Sequence, residues 1–220
     1  MTEAFTWQLF EWMGTIAFAV SGAMVGLSKK MDLFGITVLA VLVAVGGGMT
    51  RDVIAGLTPP MALQHPTDLV IAIVTAFVVS IIYETVLIDS RRRKRVSLIY
   101  NIFDTVGLGS FTVTGVMTGF SVPDGNYWAL PVMLGFLTAV GGGILRDLFA
   151  QRVPVVLNTD VYATASIAGA LIICAANLYI GIEAAVWAGF MSVLIIRAVV
   201  LRFNLHLYHP KVGRWINHSK

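Results

Sequence analysis

Residues 39–60 read LAVLVAVGGGMTRDVIAGLTPP, and residues 134–155 read LGFLTAVGGGILRDLFAQRVPV. Gly46-Gly47-Gly48-Met49-Thr50-Arg51-Asp52 thus recurs as Gly141-Gly142-Gly143-Ile144-Leu145-Arg146-Asp147, with Ala55 matched by Ala150 and Pro59 by Pro154. Apolar helices resemble one another by chance, but a shared glycine triplet, Arg-Asp pair and equidistant proline do not arise that way. Upstream, Phe10-Glu11-Trp12-Met13-Gly14 aligns with Phe103-Asp104-Thr105-Val106-Gly107. Without a gap, Phe18 then meets Phe111, Ser21 meets Thr114, Gly22 meets Gly115 and Gly26 meets Gly119. The chain is an internal repeat.

The repeat lies in membrane-type sequence. The 220 residues are 57% hydrophobic and 12% charged, about half the charge of a soluble domain. The apolar residues form blocks of roughly 20, the length that crosses about 30 Å of hydrocarbon as a helix. The expected spans are about 8–28, 33–56, 69–88, 98–120, 127–150, 160–180 and 182–204. The fold expected is an all-α polytopic membrane protein, one membrane domain over 1–220. It divides into a three-helix repeat at 8–88, a second at 98–180, a seventh helix at 182–204 and a tail at 205–220. Three is odd, so the second repeat enters from the opposite side, an arrangement typical of transport proteins.

Lys29, Lys30, Arg91, Arg92, Arg93, Lys94, Arg95, Arg152, Arg202, Lys211, Arg214 and Lys220 all follow odd-numbered spans. The alternate loops carry Asp68, Asp124 and Glu183 and no Lys or Arg, which puts the N-terminus outside and the C-terminus in the cytoplasm. Met1-Thr2-Glu3 lacks a basic n-region, so the first span is expected to remain in the fold. This distribution also excludes a nucleic-acid face. Cys174 is a single cysteine within an apolar run, with no disulfide framework or thiolate metal site.

Three glycines in a row predict a kink or break in spans two and five, since each costs about 1 kcal/mol against alanine in a helix interior. Backbone carbonyls freed there would face protein or water and could replace a cation's hydration shell. The alternative is that the glycines allow close helix packing. Glu11, Arg51, Asp52, Glu84, Asp104, Arg146, Asp147 and Arg197 are ionisable residues in or near the hydrocarbon, where such groups face a bundle interior or a pathway. Neighbours on a helix point to different faces, so Arg51 is expected to pair across the repeat, with Asp104 or Asp147, rather than with Asp52. Otherwise both Arg-Asp pairs snorkel from helix ends. Thr105, Ser110, Thr112, Thr114 and Thr118, with Thr15 and Ser21, would line water or bond back to their own helices. Gly22 to Gly26 and Gly115 to Gly119 are GxxxG packing motifs. Arg91 to Arg95 would meet anionic lipid, and His206 and His209 belong to a surface tail. No phosphate loop, metal cluster or activated nucleophile suggests an enzyme.

The doubled GGGxxRD, in spans two and five of a seven-span chain of this length, resembles the bacterial branch of the trimeric intracellular cation (TRIC) channels, from about Phe10 to Leu205. That resemblance implies a homotrimer in membrane lipid of the bacterial inner membrane, each subunit with its own pore for monovalent cations (K⁺, Na⁺) and no other cofactor. The pore would be bordered by Gly46, Gly47, Gly48, Gly141, Gly142 and Gly143, with Ser21 and Thr114 beside them. Glu11, Arg51, Asp52, Asp104, Arg146 and Asp147 would set the field or latch a gate. The same bacterial family is also described as containing glycine transporters. A small-amino-acid carrier is therefore the rival expectation, and a lipid-organising protein without flux is a third.

Overall fold

The structure is a computed structural model that describes residues 2–86, 93–123, 128–158 and 161–203. Among these, seven long helices and two single-turn helices make the whole architecture. They are α1 (Thr2–Ser28), α2 (Leu33–Ile54), α3 (Met61–Gln64), α4 (Thr67–Val86), α5 (Arg93–Ser121), α6 (Ala129–Phe149), α7 (Val155–Asn158), α8 (Tyr162–Ile180) and α9 (Ile182–Phe203). Six are long and apolar enough to cross a membrane, and the seventh, Thr67–Tyr83, is a shorter apolar helix. The first span starts earlier than the sequence suggests, at Thr2, and the fourth is extended back to Arg93. The short helices α3 and α7 follow the two proline turns and carry no hydrophobic period by which to foresee them. The side chains of Glu84 and of Arg91 to Arg95, together with Asp124 and the 205–220 tail with His206 and His209, lie outside the described residues.

The two units pack alike. In the first, α1, α2 and α4 pack on one another, with α3 between α2 and α4; in the second, α5, α6 and α8 do so around α7. The units join through α1 on α5 and α2 on α6, and α9 closes over α8 and α5. The join relates the halves by a two-fold: if a residue touches its partner across it, the repeat-equivalent pair touches too. Phe18 and Phe111, equivalent residues, meet each other edge to face with centroids 5.1 Å apart. Gly14 abuts the Phe111 ring, and Gly107 abuts the Phe18 ring.

The GxxxG motifs act within the chain. A β-carbon on Gly22 or Gly26 would press on Ala40 and Ile36 of α2, and one on Gly115 or Gly119 on Leu134 and Pro131 of α6. Outward-facing Phe77 and Ile81 on α4, Leu178 on α8 and Ile195 on α9 are exposed and apolar, as a lipid-facing surface requires.

Both glycine-rich helices end in the same six-to-one turn: Leu57 N–H donates to the Asp52 carbonyl and Arg152 N–H to the Asp147 carbonyl. The left-handed residue is Gly56 (φ 75°) in one and Gln151 (φ 52°) in the other. Since a side chain costs about 1 kcal/mol or more in that conformation, Gln151→Gly is expected to stabilise the protein by about 1 kcal/mol. An unchanged or lower unfolding temperature in detergent would contradict this.

Candidate functional site

Each unit places one arginine near the end of its second helix, buried among carboxylates and a hydroxyl. In the first, Arg51 Nε donates to Asp52 Oδ1 at 2.9 Å, and Nη1 donates to Glu11 Oε2 at 3.4 Å and to Thr114 Oγ1 at 3.3 Å. Asp52 Oδ2 accepts from the Met61 amide at 2.9 Å, tying α2 to the start of α3. The Trp7 ring lies 5.7 Å from the guanidinium carbon. Beside this group is a cavity of about 420 Å³, lined by Glu11, Thr15, Gly48, Arg51, Thr67 and Asp68 among others. Asp68 Oδ1 is buried and accepts no hydrogen bond among the described residues.

In the second unit, Arg146 Nε donates to Asp147 Oδ1 at 2.8 Å, and Nη1 donates to Asp104 Oδ1 at 2.5 Å and to Ser21 Oγ at 2.6 Å. Asp147 Oδ2 accepts from the Val155 amide at 2.7 Å. Arg152 adds a second guanidinium, donating to Asp147 Oδ1 and to the Tyr100 hydroxyl. Each arginine therefore holds the carboxylate of its own unit's first helix and reaches across the join to a hydroxyl of the other unit. Arg51 and Arg146 are 1% and 0% exposed. At such burial charge-assisted bonds are strong, and a stranded partner is correspondingly costly.

Glu11, Arg51, Asp52 and Thr114 thus gather in one cluster, and Ser21, Asp104, Arg146 and Asp147 in the other. Three expectations are corrected. The cross-repeat partner of Arg51 is the Thr114 hydroxyl, not Asp104 or Asp147, because the repeat supplies Glu11 in its own unit. Arg51 and Asp52 do pair, as do Arg146 and Asp147. Each carboxylate leans past the last helical turn to take a backbone amide, and the long arginine folds along the axis to meet it. Neither arginine snorkels.

The glycines also behave differently from the expected break. Helices α2 and α6 run uninterrupted through Gly46–Gly48 and Gly141–Gly143. A β-carbon on Gly47 would overlap the Thr138 carbonyl oxygen, and one on Gly142 the Val43 carbonyl oxygen. The middle glycines are consumed by the crossing of α2 on α6. Gly48 and Gly143 instead face their clusters, where a β-carbon would sit 3.6 Å from its nearest neighbours. Of the α5 hydroxyls, Thr112 bonds back to Leu108 and meets Ser166 at 2.8 Å, and Thr118 bonds back to Thr114. The hydroxyls of Thr105 and Ser110 are buried and have no hydrogen-bond partner among the described residues.

Sequence reasoning missed Trp7, Tyr100, Thr67, Asp68 and Tyr162. Trp7 and Tyr100 stand at equivalent places in the repeat, seven residues before Gly14 and Gly107. That pairing was legible, and so was the place of Tyr162, which stands as far beyond Thr67 as Pro154 beyond Pro59 and likewise opens its helix, but with an unlike residue.

A family model described as Glycine transporter matches residues 8–84 and again 101–178, one match on each unit. The UPF0126 inner membrane protein YadS of Escherichia coli (strain K12) is 36% identical over 197 residues, 89% of this chain and 91% of its own. The solved structure of a TRIC trimeric intracellular cation channel orthologue from Rhodobacter sphaeroides is 32% identical. It covers 90% of this chain and 98% of its own with a TM-score of 0.80. The chain belongs to the bacterial TRIC family. A further TRIC relative, a prokaryotic TRIC channel in 0.5 M KCl, superposes with a TM-score of 0.84 at 25% identity, covering 93% of this chain and all of that one. As a TRIC-family chain this is a multi-pass protein of the bacterial inner membrane, and its two arginine clusters are the two halves of one doubled motif.

Proposed function

We propose that the chain is a monovalent-cation channel, K⁺ its main ion, with one route per subunit running through the two arginine clusters. The observation that carries this is the charge of the first cavity. Glu11, Asp52 and Asp68 face it against one guanidinium, and a cleft of one sign with low-dielectric walls concentrates the counter-ion. The likeness to TRIC cation channels supports the same reading and, with it, a homotrimer. Because each unit has three spans, the second is inverted in the membrane, and the Lys/Arg bias puts the N-terminus and the Glu11 cavity on the outer side.

The test is planar-bilayer recording of the purified protein in asymmetric KCl. Discrete steps reversing near the K⁺ potential are expected. Asp68→Asn removes a carboxylate that forms no ion pair among the described residues, and it is expected to lower unitary conductance about two- to threefold at 0.1 M salt and less at 1 M, where the screening length falls to about 3 Å. Silent bilayers from folded protein would sink the proposal.

One observation favours a second reading. The same cavity is lined by Arg51 and by Asp68, whose Oδ1 accepts no hydrogen bond among the described residues, a layout that suits the two ends of a small zwitterion, and the matching family model is described as Glycine transporter. Saturable counterflow of labelled glycine into liposomes, without current steps, would establish that alternative.

A further inference from the structure

We propose that Tyr162 is the plug that seals the second half-site, and that withdrawing this one side chain opens beside the second cluster a water-accessible space like the cavity its first-unit counterpart borders. The geometry rests on the near-identity of the two clusters except at a few positions. Glu11, Gly48, Arg51 and Asp52 line the first, and Asp104, Gly143, Arg146 and Asp147 repeat them in the second. Where the first unit has Thr15, the second has Leu108; where α4 opens on Thr67, α8 opens on Tyr162. Thr15 and Thr67 border the 420 Å³ cavity. Leu108 and Tyr162 are 0% and 1% exposed and packed into one core cluster. The Tyr162 hydroxyl stands 3.6 Å from where a β-carbon on Gly143 would be, whereas at Gly48 the neighbours at that distance are Arg51 and Glu11 and the residue borders the cavity.

The attachment of this ring is what makes it movable. Its hydroxyl has no hydrogen-bond partner among the described residues. Its face carries the Arg197 guanidinium, whose carbon is 4.8 Å from the ring centroid and whose Nε and Nη1 are likewise without partners. The ring is therefore held by packing and one cation–π contact, and no hydrogen bond need break when it leaves. A buried hydroxyl and guanidinium left unsatisfied both gain when water enters. Arg146, by contrast, is tied to three side chains and stays. Tyr162 is thus a positioning residue of the route, acting by volume; the term route rests on the conduction reading, but the plug does not.

The test uses thiol labelling, which needs no current. A cysteine fits at Gly48 and at Gly143, and the native Cys174 is buried, so the unsubstituted protein is the blank. A neutral, water-soluble methanethiosulfonate is used so that the differing charge of the two clusters does not set the rate. In detergent, Gly48→Cys is expected to label at least about tenfold faster than Gly143→Cys, whose thiol is reached only by local opening. Adding Tyr162→Thr, the residue of the first unit, is expected to bring Gly143→Cys to the rate of Gly48→Cys, whereas Tyr162→Phe, which keeps the ring, leaves it slow. Gly48→Cys/Tyr162→Thr must still label and elute as a folded species; if it does not, Tyr162→Val takes its place in the comparison. Equal labelling of the two cysteines with Tyr162 present would overturn the proposal. So would a Gly143→Cys that stays slow in a folded Tyr162→Thr or Tyr162→Val chain, or one that Tyr162→Phe already opens. The expected labelling with silent bilayers from every variant would support the plug and overturn conduction.

Discussion

Arg146→Leu is expected to destabilise the folded chain by about 3–5 kcal/mol, because it strands the buried Asp104 carboxylate and takes from Asp147 one of its two guanidiniums. Asp104 and Asp147 are 1% and 0% exposed, and Arg146 is the guanidinium that bonds both. Arg152 still reaches Asp147, so most of the loss falls on Asp104. Arg51→Leu makes the informative comparison. Its carboxylates, Glu11 and Asp52, both border a cavity wide enough for water, which can hydrate the stranded charges, so that loss is expected to be smaller, about 1–3 kcal/mol. Removing both members of the second pair, Arg146→Leu with Asp104→Leu, should recover part of the loss, since no charge is then left unpaired. Thermal unfolding in detergent, followed by loss of the monodisperse peak, ranks the variants. A chain in which Arg51→Leu is the more damaging would show that the two clusters are not wet and dry as their surroundings indicate.

The glycine triplets give the second large effect, with a change of sign inside three residues. Gly47→Ala and Gly142→Ala each force a methyl onto a backbone carbonyl of the facing helix, which cannot turn aside as a side chain could, and each is expected to cost about 1–3 kcal/mol. Gly48→Ala and Gly143→Ala meet only ordinary contacts, and removing a helix-interior glycine is expected to gain up to about 1 kcal/mol. The same unfolding assay reads all four. Uniform losses across each triplet would mean that the glycines act through helix flexibility and not through the crossing.

The contrast between these two groups shows what the sequence makes legible. The repeat, the spans and the residues of both clusters follow from hydropathy and from the doubled motif, because membrane insertion and internal duplication leave linear signatures. Partner choice does not. Whether Arg51 would meet Asp52, Glu11 or Asp104 depends on how a long side chain folds along a helix end and on where a backbone amide draws the carboxylate, as Met61 and Val155 do here. The glycines were found for a reason that failed: propensity argues for a break, and the crossing of α2 on α6 overrides it with packing that no single helix encodes. Tyr162 stands in register with Thr67 but differs from it in kind, so matching like residues passed over it.

The edge-to-face meeting of Phe18 with Phe111 carries one more consequence. Equivalent residues touch each other, so the surface each half presents to the other is self-complementary. A first unit inserted in both directions would find in a second copy of itself every group that the join demands: a ring for Gly14, a carbonyl for Gly47 to rest on, and Ser21 as the hydroxyl for Arg51. The chain is in this sense a homodimer written on one strand, and the departures from sameness, Leu108 and Tyr162 among them, mark where its two halves are no longer interchangeable.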